Sequence, residues 1–112
     1  MFNKEIKKLN PRIVCNDGFS ISVQAREGAY CEPRNDEGPY IRVECGFPSK
    51  IPGPELFKYA EDPTNPTETV YSYVPTYIVE LEIRAHGGIK TGKFPDGCIL
   101  YGSNENETDN EL

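Results

Sequence analysis

The chain has 112 residues, 37% of them hydrophobic and 27% charged, with a formal net charge of −6. That is the size of one domain with a modest core, which excludes a multi-domain machine and a disordered polymer. The acidic balance disfavours non-specific attachment to nucleic acid or to an anionic membrane surface, because both need clustered Lys and Arg.

Ten glycines and ten prolines are scattered along the chain, which predicts short strands, tight turns and few helices. No run approaches the roughly 20 apolar residues that cross a bilayer, and the N-terminus lacks a signal peptide's apolar segment. A soluble chain retained in the compartment where it is made is expected. Lys4, Lys7, Lys8 and Arg12 oppose one acid, Glu5, at the start, whereas Glu105, Glu107, Asp109 and Glu111 crowd the end. The division predicted is a single α+β domain over residues 1–102, opening on a basic arm over 1–10, and a disordered acidic tail over 103–112.

In the arm, Phe2, Ile6 and Leu9 stand at helical spacing. Arg12-Ile13-Val14-Cys15 then leads through Asn16-Asp17-Gly18 into Phe19–Ala25. Asp-Gly between two β-rich runs signals a hairpin, since Gly18 can take the positive φ of the turn. On the second strand Phe19, Ile21, Val23 and Ala25 share one face, and Ser20, Ser22 and Gln24 the other. Residues 26–39 form a polar loop broken by Gly28, Pro33, Gly38 and Pro39. Alternation from Tyr40 to Cys45 predicts a third strand with Ile41, Val43 and Cys45 inward, and with Tyr40, Arg42 and Glu44 outward. Pro54–Glu61 offers a short helical turn with Pro54 at its first position, and Thr69–Val74 a fourth strand.

Residues 75–86 carry conflicting signals. Alternation of Tyr77, Val79, Leu81, Ile83 and Ala85 argues for a strand, and a helix would put Glu82 near the middle of its apolar arc. Pro75 at a first helical position and His86-Gly87 at a last turn argue for a helix. The helix is the preferred reading. Phe94-Pro95-Asp96-Gly97 fits a type I turn, so residues 89–101 are expected to close the domain as a hairpin. The fold class predicted is therefore α+β, a small antiparallel sheet of 4–6 short strands with one main helix at about 75–86 and a helical turn at about 54–61.

Catalytic signals are sparse. Cys15, Cys31, Cys45 and Cys98 form no CxxC pair, and His86, the single histidine, has no cysteine at ligand spacing. A metal site is not expected, and the cysteines read as core thiols of a reducing compartment. No phosphate loop, dinucleotide fingerprint, zincin or nucleophile-elbow motif occurs, and no cofactor is expected. What remains suits binding. If the second and third strands are neighbours, Gln24, Tyr40 and Arg42 share an outer face, with Tyr30 and Arg34 arriving from the loop between them. Arginine supplies a planar fork and tyrosine a rigid aromatic surface with a polar tip. Such a cluster could hold a nucleotide or grip a protein, while the plainer reading is cross-strand packing on a sheet surface.

The runs CNDGFSISVQA (15–25), AYCEPR (29–34), VECGFPS (43–49), YAED (59–62), TETVYSYVP (67–75) and HGGI (86–89) resemble a family of small accessory proteins of tailed phages and prophages. The resemblance spans about residues 14–89 and includes neither the basic arm nor the acidic tail. It carries no activity and no functional residue across. It implies a context, the cytoplasm of an infected bacterium, and a helix after the Val-Pro step. By analogy with phage accessory proteins that lack catalytic motifs, the expected function is non-enzymatic: stoichiometric binding to a host defence protein, which it inhibits. A sponge for a cyclic or ADP-ribose-type nucleotide signal is the alternative, and a virion or assembly component a third. Direct nucleic-acid or membrane binding is not expected, and homo-oligomerisation stays open.

Overall fold

The computed structural model describes residues 8–102, so most of the basic arm and the whole acidic tail lie outside the described residues. Among the described residues the chain runs β1 (Ile13–Cys15), β2 (Ser20–Gln24), β3 (Arg42–Gly46), α1 (Pro54–Phe57), β4 (Val70–Pro75), α2 (Thr76–Ala85) and β5 (Ile89–Thr91). The sheet order is β4-β3-β2-β1-β5, antiparallel throughout. It is the small α+β architecture expected.

β1 and β2 meet through the Asp17-Gly18 turn. Gly18 adopts φ +98 and donates to the Cys15 carbonyl, and the Asp17 carboxylate accepts from the Phe19 backbone N–H. Period-two alternation then places Ile21, Val23, Val43 and Cys45 inside, where they pack with Tyr71, Val74 and Leu56. α2 leaves β4 directly and carries the chain to β5, at the other end of the sheet, while burying Ile78, Val79 and Ile83 in the same cluster. Each such side chain contributes about 1.5–3 kcal/mol by leaving water.

The two signals over residues 75–86 resolve as a helix. Val79 and Ile83 are buried while Tyr77, Leu81 and Ala85 are exposed, a pattern that a strand cannot produce. Gly87 donates to the Arg84 carbonyl and Gly88 to that of Ile83, so the helix closes in a Schellman arrangement with Gly87 at φ +90. Pro75 belongs to the end of β4 and caps the helix from outside.

Four expectations need correction. The short helix ends at Phe57 rather than near residue 61. The closing hairpin does not form: β5 pairs with β1, and Ile99 donates to the Tyr40 carbonyl. The turn also shifts by one residue, with Cys98 donating to the Pro95 carbonyl and Gly97 at φ +92. Finally, the alternation assumed for Tyr40 and Ile41 is reversed. Tyr40 is 0% exposed and Ile41 44% exposed, because regular pairing starts only at Arg42.

The sheet's ends differ. Along β4, Glu61 donates to the Val70 carbonyl and Ser72 to that of Tyr59, so the segment after α1 covers that edge. β5 is a three-residue edge strand between Gly88 (φ +86) and Gly92 (φ +89), with Lys90 exposed on it.

Candidate binding face

Three of the five sequence-predicted site residues converge. Tyr30, from the 26–39 loop, lies 5.9 Å from Tyr73 of β4, ring centroid to ring centroid, at an interplanar angle of 31°. The Arg34 guanidinium sits 5.3 Å from the centre of the Tyr30 ring. Arg42 ties the group together: its Nη1 donates to the Tyr73 carbonyl at 3.0 Å and its Nε pairs with Glu32 at 3.2 Å. Glu44, two residues along β3, accepts from the Tyr30 backbone N–H at 2.8 Å. The Tyr73 backbone N–H in turn donates to the Tyr30 carbonyl at 3.0 Å.

The other two predicted residues serve the fold. Gln24 lies opposite Glu44 in the β2–β3 register, beside this face, but its amide is engaged. It accepts from the Asn10 backbone N–H and donates to the Asn10 carbonyl, as a neighbouring strand would, and so holds the incoming chain against the sheet. Tyr40 is interior. Its ring lies between Gly38 and Gly97, where an added Cβ would come within 3.1 Å of ring carbons, and its hydroxyl donates to the Asn35 carbonyl at 2.7 Å.

Tyr73 is the residue that sequence reading misses. Strict alternation would place it with Tyr71, which is fully buried, yet it stands 40% exposed. The cause is a register irregularity: between Val43↔Val74 and Cys45↔Tyr71, β4 has two intervening residues and β3 has one. Tyr73 takes the extra place at φ +54, a left-handed conformation that costs a bulky residue about 1–3 kcal/mol. No glycine marks the position. The backbone bonds to Tyr30 and Arg42 hold it there.

This strain gives a specific expectation. At an ordinary strand position alanine is more stable than glycine, whereas at residue 73 the order should invert, with Tyr73→Gly about 1 kcal/mol more stable than Tyr73→Ala. Paired urea denaturation curves measure the difference, and alanine proving the more stable would contradict the positive φ.

A second polar cluster joins the β1–β2 turn to the end of α2. His86 Nδ1 lies 2.7 Å from Asp17 Oδ2, its Nε2 lies 3.1 Å from Glu82 Oε2, and its ring stacks on Phe19 at 3.9 Å and 5°. Glu82 also accepts from the Gly53 backbone N–H. Both ring nitrogens are therefore engaged by carboxylate oxygens. Neither ring nitrogen is then left to activate a nucleophile. Burial, followed by the nearby Asp17 and Glu82 charges, pushes the Cys15 thiol up, and burial does the same to Cys45, away from the reactive thiolate. Among the described residues no three His, Cys, Asp or Glu side chains are grouped to hold a metal ion, and no helix is long and apolar enough to cross a membrane.

Searches against family models, curated proteins and solved structures match nothing to this chain.

Proposed function

We propose that the chain is a non-enzymatic binding protein that inhibits a bacterial antiviral defence system by stoichiometric attachment to a host immune protein, and that it attaches through the Tyr30–Tyr73 face. The observation that carries the binding is Tyr73, a strained aromatic side chain held outward against a second exposed tyrosine and beside two arginines. Strain of this kind concentrates at functional positions, and Tyr and Arg are the side chains that anchor protein interfaces. The defence context rests on the resemblance to phage accessory proteins.

Geometry favours a protein partner over a captured nucleotide. At 5.9 Å and 31° the two rings touch each other, within the 4.5–7 Å range of a directly packed aromatic pair. A nucleobase sandwiched between them would have to part them. Arg42 already donates to Glu32 and to the Tyr73 carbonyl, so much of its fork is committed.

Expression of the protein in bacterial strains that each carry one defence system should restore phage plaquing by orders of magnitude in at least one of them. Tyr73→Gly, which keeps the backbone conformation, should abolish the restoration. Restoration in no strain, or a fully active Tyr73→Gly, would remove the reading. A rise in melting temperature with a cyclic nucleotide would instead favour the sponge.

A further inference from the structure

Resting on that reading, we propose that the partner presents an arginine side chain to this face, laid on the Tyr73 ring and paired with the carboxylates beside it. The face already contains a smaller version of the contact. Arg34 sits over Tyr30 at 5.3 Å, which shows how a guanidinium is seated on this surface. Tyr73 offers a second exposed ring, and among the described residues no cation lies over it.

The face carries two carboxylates and two guanidinium groups, and the carboxylates each keep an oxygen for an incoming cation. Glu32 pairs with Arg42 through Oε1, and Glu44 accepts from the Tyr30 N–H through its own Oε1. Among the described residues the Oε2 atoms of both have no bond within the protein, so each can accept from outside. A guanidinium fits such a place better than an ammonium does, because it stacks flat on an aromatic ring while its N–H groups reach a carboxylate in the same plane. The chain's net charge of −6 draws a basic surface toward it over a longer range.

The probe is an N-acetylated, C-amidated tetra-arginine peptide titrated into the full chain at low salt, with side-chain resonances followed by NMR. Tetra-lysine, tetra-glutamate and ATP serve as comparisons. Saturable shifts centred on the Tyr73 and Tyr30 rings are expected. Affinity should fall by about two- to fivefold in Tyr73→Gly, and by a similar factor when lysine replaces arginine in the peptide. Glu44→Gln, which retains an oxygen for the Tyr30 N–H, should weaken binding without disturbing the fold. Shifts spread over the acidic surface and unchanged in Tyr73→Gly would overturn the proposal, as would a ring response to tetra-glutamate or ATP instead. Peptide indifference while plaquing is still lost in Tyr73→Gly overturns the arginine assignment alone. Plaquing unaffected by Tyr73→Gly overturns the proposed function, and this inference with it.

Discussion

Tyr40→Ala is expected to lower the free energy of unfolding by about 3–5 kcal/mol, the range for removing a fully buried aromatic ring. The ring is 0% exposed and lies in a slot that Gly38 and Gly97 leave open, so neighbouring side chains are poorly placed to refill it. Against a typical total of about 5–15 kcal/mol, the loss is a large fraction of the stability. Tyr40→Phe should cost about 1 kcal/mol, since it keeps the ring and removes the hydroxyl that donates to the Asn35 carbonyl. Urea denaturation reads both. A Tyr40→Ala midpoint equal to that of the wild type would take the ring out of the interior and return it to the surface. The two tyrosines are thereby separable: any binding lost with Tyr40 follows from unfolding, and any lost with Tyr73 does not.

His86→Ala should cost about 2–4 kcal/mol, because it removes the stack on Phe19 and leaves the Glu82 carboxylate, only 10% exposed, without its imidazole partner. If that account is right, Glu82→Gln should recover about 1 kcal/mol or more in the His86→Ala background, since a neutral amide oxygen can still accept from Gly53. A simple sum of the two single effects would mean that Glu82 and His86 are not coupled. Asp17 adds a pH dependence. The Phe19 backbone N–H, and next His86, hold its carboxyl below the ordinary value. Its folded form therefore binds protons less readily than its unfolded form. The stabilisation is complete above about pH 4 and is lost as the pH falls from there through the folded value. Asp17→Asn should make acid unfolding less steep in that window, and an unchanged profile would place the acid sensitivity elsewhere.

How much of this was legible depended on whether a residue's surroundings are local in the chain. The Asp17-Gly18 turn, the β2 face pattern and the Gly87 helix end are set by neighbours a few residues away, and periodicity and punctuation recover them. Glu82 shows a harder case. Within its helix it is an acid on an apolar arc, and it becomes intelligible only when Gly53 and His86 supply its partners. Tyr40 escapes the alternation because its slot is built by Gly97, remote in sequence, and because regular pairing begins only after Ile41. The partner of β5 is hidden for a related reason: the turn after it is local, but its ladder to β1 is not. At the candidate site, Tyr30, Arg34 and Arg42 could be grouped from loop and strand placement, whereas Tyr73 depended on one extra residue in a ladder, with no glycine to announce it.

An inhibitor acting one-to-one, as proposed, has to accumulate to the abundance of its target, and crowding at that level penalises any protein that offers copies of itself a strand to extend. Here the two ends of the sheet limit that growth by different means. The β4 end is occupied by the chain's own 59–61 segment. The β5 end is three residues long, bent by a glycine on each side and marked by Lys90, which would face other positive charge in an antiparallel copy. Rising concentration can then fill target sites instead of seeding a polymer.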